Sequence, residues 1–506
     1  MDSPANVLFV MTDQQRFDTI ASLGNDRIRT PNIDRLVRRG VTFDNAYSTC
    51  PVCMPARYTI RSGCEPTRTG VFANTADPGT HEKVAKRCGP YLADRMQSFG
   101  YRTFGVGKFH TLPWDADEGF ETQMHSEELY ESADQRQRDA YASWLAEEHP
   151  EYAWIEALMG ERTEMYYAPQ MSPLPPSLTV EAWAADQAAE LICQSDDRPY
   201  FGFVSFIGPH PPLAPPLPFN RMYDPDRMPV PVKGALENDH LDQQIPWMNH
   251  AVFAEDVPDS LARTLTARYY GEISYIDHCI GRILDAVESR ADADNTLICF
   301  YADHGDHMGD HHAWQKESFF EASTRVPFLL SWPERLPHEQ VREDLVCLTD
   351  LFGVATSAAG RSELRQGVDI LGCLETGRPA REVLFGFHGE PGTRGFKAMV
   401  RQGDHKLIWM ANGDSQLLFD LKADPDECHP LGVEHSATAA RLYDLLVEQL
   451  RAEDLTDAFD GNSLRTVPYQ IWPRERIYQF DRSRGVTGFP DDPSEVLQTV
   501  TEAGWA

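Results

Sequence analysis

Four short apolar runs in this sequence end in polar residues that carry chemistry. "NVLFVMTDQ" ends in Asp13 and Gln14, "RTFGVGKFH" in Lys108 and His110, "YFGFVSFIGPH" in His210, and "NTLICFYADH" in Asp303 and His304. Two carboxylates, an amide carbonyl and an imidazole form a donor set for a divalent metal ion. A lysine and histidines beside them would neutralise an anion. A fifth stretch, "CPVCMPARYTIRSG" from Cys50 to Gly63, packs two cysteines, two prolines and two arginines into a predicted helix start. Either it holds a buried thiol, or one cysteine does chemistry. The Cys50-x-x-Cys53 spacing also suits a redox pair, although Pro-Ala-Arg follows it and no thioredoxin-like context surrounds it.

Each cluster taken singly has an ordinary explanation. Asp13 suits a helix cap, Lys108 a surface site, His210 a filler in a proline-rich loop, and "DHGDHMGDHH" a solvated charge run. What joins them is the element order. Buried strands alternate with amphipathic helices: residues 30–40 with Ile33, Leu36 and Val37 on one face and Gly40 as a stop, a helix ending at Gly100, and a long helix over residues 260–287. That alternation predicts an α/β fold with a large, mainly parallel sheet flanked by helices. In such a sheet the carboxyl ends of the strands open on one face, so the four clusters converge on one crevice.

The texture changes near residue 390. "FKAMVRQGDHKLIWMANGDSQLLFDLKADPDE" reads as three strands and two turns, with a hairpin signal at residues 412–414, and a helix follows. The expected organisation is a catalytic α/β domain over 1–390, a small antiparallel α+β subdomain over 391–454, and an arm over 455–506. The arm, with "YQIWPRERIYQF", should pack on the body or join a second copy as a homo-oligomer.

The chain has 506 residues, 42% hydrophobic and 10% aromatic, as a folded globular protein has. A formal charge of −32 argues against a nucleic-acid partner and against anionic membranes. A small anionic substrate stays open, because surface charge is screened beyond about 8 Å. Only eight of the 46 basic residues are lysine, so each lysine is informative. The apolar run near the N-terminus is too short for a signal peptide, and no stretch approaches the roughly 20 apolar residues of a membrane span. Ten scattered cysteines suit a reduced compartment, so a cytoplasmic location is expected.

Cys53-Met54-Pro55-Ala56-Arg57 with Ser62-Gly63, together with "TPNIDRLVRRGVTFDNAY", "GVGKFH", "ADHGDHMGDHHAWQK", "TRVP" and "HKLIWMANGDSQLLFDLKADPDE", resembles the type I, formylglycine-dependent sulfatases of the alkaline-phosphatase-like superfamily. The resemblance covers about residues 5 to 450. It implies an alkaline-phosphatase/sulfatase-like fold and hydrolysis of a small-molecule or saccharide sulfate ester. It implies that a formylglycine-generating enzyme oxidises Cys53 to formylglycine, whose hydrate attacks with one hydroxyl and leaves through the other. Asp13, Gln14, Asp303 and His304 then match the metal ligands, completed by position 53. Arg57 would orient the diol, and Lys108 and Lys316 would clamp the sulfate. His110 would take a proton from the diol, His210 would serve the leaving oxygen, and Asn74 would line the pocket. Calcium sulfatases often carry Asp-Asp and Asp-Asn where this chain has Asp13-Gln14 and Asp303-His304. An imidazole ligand favours Mn²⁺ over Ca²⁺. The related phosphonate monoester and phosphodiester hydrolases share this arrangement and are the alternative enzyme reading. A non-catalytic binder of sulfated ligands is the alternative from another class. Around the pocket, Trp114, Trp144, Trp154, Tyr166, Tyr167 and Trp247 either stack on substrate or pack a lid.

Overall fold

The computed structural model describes residues 4–75, 77–127, 133–152, 166–234, 241–432 and 435–474. Eight strands form the main sheet: β1 (Asn6–Thr12), β2 (Gly40–Tyr47), β3 (Arg102–Gly107), β4 (Thr122–His125), β5 (Tyr200–Ser205), β6 (Thr296–Ala302), β7 (Phe328–Ser331) and β8 (Gln340–Cys347). Their spatial order is β4-β3-β5-β1-β6-β7-β2-β8. All neighbours pair in parallel except at β7, which runs antiparallel to both β6 and β2. The expected mainly parallel, mixed sheet is therefore present.

The central strands are apolar along their whole length because both faces are covered. On β1, Val7, Phe9 and Met11 pack with Ala56, Ile60, Met96 and Phe352 from helices on one side. Leu8 and Val10 pack with Ala182, Ile276 and Ile280 on the other. The long helix over Asp259–Glu288 supplies much of that second layer. Gly40, expected to stop the preceding helix, instead opens β2; that helix ends at Arg38. A side chain at Gly40 would collide with the Leu330 carbonyl of β7, so the glycine serves strand pairing rather than helix termination.

The second sheet is antiparallel, in the order β12-β11-β10-β9, from β9 (Val383–His388), β10 (Lys397–Gln402), β11 (His405–Met410) and β12 (Ser415–Asp420). The turn at 412–414 is a tight hairpin, with Gly413 and Asp414 both left-handed. The Ser436–Ala452 helix covers one face through Leu442, Leu446 and Leu450. Strand β9 precedes the change of texture near residue 390: "VLFGFH" is as apolar as a central parallel strand, so pattern alone does not assign it to the smaller sheet. Its sheet shares a core with the main body, where Tyr47, Phe319 and Phe320 meet Leu384, Met399 and Ile408. Residues 455–474 lie against this body, with Gln470 and Asn412 exchanging two hydrogen bonds of 2.9 and 3.0 Å. The rest of the predicted arm, 475–506, lies outside the described residues. Among the described residues no helix is long and apolar enough to cross a membrane.

A buried ion cluster locks the two sheets together. Lys406 on β11, fully buried, donates to Glu321 Oε1 at 2.8 Å and to the Phe319 carbonyl at 2.7 Å, and forms an ion pair with Glu427 Oε1 at 2.5 Å. Burial pushes the Glu427 carboxyl up to about 7. Replacing Lys406 with Met leaves two buried acids facing each other, and urea denaturation should show a loss of about 3–5 kcal/mol. A loss below about 1 kcal/mol would mean that protonation of Glu427 relieves the pair without the lysine.

Candidate active site

Strand register brings the acids together. Thr12 of β1 is the partner of Ala302 of β6, so the next residues, Asp13 and Asp303, leave the sheet side by side. Gly107 of β3 is the partner of Ser205 of β5, which delivers Lys108 to the same edge. Gly107 has φ 111° and lies against the Ser205 carbonyl, where a side chain would not fit.

Cys53 is the first residue of the Cys53–Ser62 helix, every residue of which is buried. Pro55 is tolerated in the first turn, where its missing N–H has no intrahelical partner to lose. The N-cap, Val52, has no capping side chain; instead the Asn74 carbonyl oxygen accepts the Met54 N–H at 3.0 Å. Asn74, expected to line the pocket, thus lies beside the helix start with its carbonyl side committed to the backbone. The helix presents its positive end at Cys53, which favours an anion there.

The Cys53 sulfur lies 3.2 Å from His304 Nε2, 3.2 Å from Lys316 Nζ and 3.8 Å from Asp13 Oδ1. Burial and the Asp13 charge oppose its ionisation, but Lys316, Lys108 and His304 outweigh them and hold the thiol well below its usual range. Cys50 differs. It is buried, its thiol donates to the Phe72 carbonyl at 3.4 Å, and burial with Glu317 raises it well above that range. The two thiols of the Cys-x-x-Cys spacing therefore face different partners.

Arg57, one helical turn on, is fully buried. Its Nη2 meets Asp13 Oδ2 at 2.8 Å and its Nε meets Asp303 Oδ2 at 3.0 Å, while Nη1 donates to the Lys108 carbonyl at 2.5 Å and to Ser205 Oγ at 3.0 Å. Lys108 Nζ also takes Asp13 Oδ2, at 2.7 Å. Each carboxylate is thereby divided. The Oδ2 atoms face cations, and both Oδ1 atoms lie 3.6 Å from His304 Nε2. Against the cost of burial, Lys108 and Arg57 hold the Asp13 carboxyl well below its usual range. Burial and the Asp13 charge push Asp303 up to about 6.

Ligand atoms of Asp13, Cys53, Asp303 and His304 all lie within 4.8 Å of one another. His304 Nδ1 sits 3.0 Å from the Gly305 carbonyl, which can only accept; the ring proton is therefore on Nδ1 and the Nε2 lone pair faces the cluster. Metal-binding histidines are oriented in this way. These donors fit a divalent ion. Gln14, the fifth expected ligand, is left-handed at φ 68°; its Oε1 accepts from Lys316 at 2.7 Å and its Nε2 donates to Asp306 at 2.5 Å.

His110 is also left-handed, at φ 54°, and its Nδ1 is buried with no hydrogen-bond partner among the described residues. His210 is buried in the loop after β5, its Nδ1 donating to the Pro211 carbonyl at 2.7 Å. Three supporting residues carried no sequence signal that was used. Glu127 accepts the N–H groups of Phe109 and His110, at 2.7 and 3.1 Å, and so holds the His110 backbone. Ser205 receives Arg57, and Asp306 receives both Gln14 and Tyr167, the latter at 2.7 Å. Ser205 ends a central strand and Asp306 sits in the "DHGDH" run, so both were within reach of the strand-end rule. Glu127 follows a short edge strand without a motif. Of the aromatic residues considered for the rim, Tyr166 and Tyr167 are buried, with Tyr166 edge-on to His210, and Trp154 lies outside the described residues.

Comparison with known proteins gives a consistent picture. The Sulfatase family profile matches residues 5–360, and the profile for the C-terminal part of N-sulphoglucosamine sulphohydrolase matches residues 309–454. An arylsulfatase of Clostridium perfringens is 27% identical over 91% of this chain and 97% of its own. A choline-sulfatase of Rhizobium meliloti is 28% identical over 94% and 93%. Among solved structures, the phosphonate monoester hydrolase of Agrobacterium radiobacter shares the fold at a TM-score of 0.73, with 24% identity over 89% of this chain and 96% of that one. A protein in complex with its substrate D-glucosamine-2-N,6-O-disulfate shares it at 0.69, with 18% identity over 90% and 99%.

Arg57 fixes both carboxylates, so its replacement by Lys, which reaches only one, should loosen the donor set. Titration calorimetry on metal-stripped protein should show affinity for Mn²⁺ or Ca²⁺ falling about 10- to 100-fold. Unchanged affinity would mean that the carboxylates keep their positions without the guanidinium.

Proposed function

The chain belongs to the sulfatase family and is a sulfuric ester hydrolase, and from that premise we propose that it hydrolyses a small-molecule or saccharide sulfate ester using formylglycine made from Cys53 and one divalent metal ion. The observation that carries this reading is the position of Cys53: buried at a helix N-terminus, in contact with Lys316, and within ligand distance of Asp13, Asp303 and His304. As a hydrated aldehyde, residue 53 would supply two hydroxyls on one carbon, one to attack sulfur and one through which sulfate is released. Held by Asp13, Asp303, His304, residue 53 and the Gln14 carbonyl, a metal ion would polarise the sulfate and acidify the attacking hydroxyl.

The remaining roles belong to the chain itself. Lys108 and Lys316 bind the sulfate oxygens and stabilise the charge that grows on them. Arg57 keeps the two carboxylates and the Lys108 backbone in place. His110 accepts a proton at Nδ1, the ring atom that has no hydrogen-bond partner among the described residues. His210, as the imidazolium with its Nδ1 proton engaged with Pro211, donates its Nε2 proton to the leaving oxygen. Burial excludes bulk water and strengthens each of these charges. The metal in this reading is manganese as readily as calcium, since His304 offers nitrogen.

A second reading, hydrolysis of phosphonate monoesters or phosphodiesters with the same residue 53, is favoured by the Asp13-Gln14 and Asp303-His304 pairs. Lys108 and His110 favour sulfate. Kinetics on sulfate esters, phosphodiesters and phosphonate monoesters decide between the two. The sulfatase reading expects the highest kcat/KM on a sulfate ester, and the opposite ranking would overturn it.

Variants test the assignment. Cys53→Ala should abolish turnover with the fold intact, whereas Cys50→Ala should keep most of it. Cys53→Ser should stop after one sulfation event, because serine lacks the second hydroxyl. Lys108→Ala and Lys316→Ala should each lower kcat/KM by roughly a hundredfold or more, and Lys108→Ala should also lower the melting temperature, because it removes one of the buried cations facing Asp13. Near-normal kinetics with a large drop in melting temperature would make both lysines structural.

A further inference from the structure

Beside the sulfate-binding groups lies a second polar cluster. Glu317 follows Lys316 directly, and its N–H donates to the Pro51 carbonyl at 3.1 Å, which fixes it next to the Cys53 helix. Its carboxylate accepts from Gln244 Nε2 and lies 3.8 Å from His388 Nε2. His388 ends β9 with only 4% of its surface exposed, and neither ring nitrogen has a hydrogen-bond partner among the described residues. Lys397, the register partner of His388, is occupied with Asp242 Oδ2 at 2.6 Å and with the Glu317 carbonyl. Gly389, the next residue, donates to the Phe72 carbonyl at 2.9 Å, which brings the end of β9 against the segment carrying Asn74.

Leaving both nitrogens of a buried imidazole unmade is costly, so such a group marks a place where a ligand supplies the partners. Burial and the charge of Lys397 keep His388 well below its usual range, hence neutral. A neutral imidazole presents one donor and one acceptor. A hydroxyl group presents the same two functions in complement. The Glu317 carboxylate, 13% exposed, adds an acceptor for a second hydroxyl.

We propose that His388 and Glu317 form a subsite for hydroxyl groups of the alcohol part of the substrate, so that the ester taken is that of a polyhydroxylated leaving group, as in a sulfated monosaccharide. This rests on the sulfatase reading and narrows it. The contact chain Cys53–Lys316–Glu317–His388 places the subsite one residue away from the group that touches the nucleophile position.

The test compares 4-nitrophenyl sulfate, which has no hydroxyl, with a panel of monosulfated hexoses and hexosamines. For His388→Leu, kcat/KM on the best monosaccharide sulfate should fall about 10- to 100-fold, mainly through KM. On 4-nitrophenyl sulfate it should change less than about threefold, and His388→Gln, which keeps a donor and an acceptor, should recover most of the loss. An equal fall on both substrates would make His388 structural. No change on either would mean that water alone fills the site. Wild-type turnover of the aryl ester with none of the sugar esters would overturn the subsite and leave the sulfatase reading standing. Turnover of neither would overturn the sulfatase reading itself.

Discussion

Two carboxylates, Asp13 and Asp303, leave adjacent parallel strands side by side and away from water. The site is organised around how that repulsion is met. Arg57 and Lys108 take the outer oxygens, both inner oxygens face His304, and the inner oxygen of Asp13 lies 3.8 Å from the sulfur of Cys53. A divalent ion between those inner oxygens would complete the compensation, which is why the same residues that make the site costly to fold make it apt for metal. The arginine comes from the helix that begins with Cys53, so the group that steadies the acids and the thiol beside them share one rigid element.

The rest of the molecule holds that element still. Apolar strands and helices fix the helix on its inner side, and the Asn74 carbonyl completes its first turn. The smaller sheet is fastened to the body through Lys406, Glu321 and Glu427. It also brings His388 and Lys397 up to Glu317. The edge of the main sheet thus carries Asp13, Lys108 and Asp303, and its junction with the smaller sheet carries His388 and Glu317.

Much of this was legible in the sequence for a specific reason. Central parallel strands are apolar throughout, so a polar residue at the end of such a run marks the sheet edge where ligands bind. That rule points to Asp13, Lys108, His210 and Asp303, and strand register brings Asp13, Lys108 and Asp303 to one edge. Arg57 and the role of Cys53 needed the resemblance as well, since a buried Cys-x-x-x-Arg turn has no distinctive periodicity. Glu127 stayed hidden because it acts through backbone N–H groups after a short edge strand. Strand β9 joins the smaller sheet although its composition matches a central strand, so pattern alone does not place it. His388 and Glu317 meet only through tertiary contacts between distant segments, which no local pattern encodes. The Asn74 carbonyl caps the Cys53 helix from twenty residues away, a contact that no local pattern encodes.

The central claim is that residue 53 works as formylglycine. Tandem mass spectrometry of the peptide spanning Cys50 to Arg57, from catalytically active protein made alongside a formylglycine-generating enzyme, addresses it directly. The account predicts an aldehyde at position 53 and an unmodified thiol at position 50, with the aldehyde fraction tracking specific activity from one preparation to the next. Fully active protein that carries a free thiol at position 53 would contradict it.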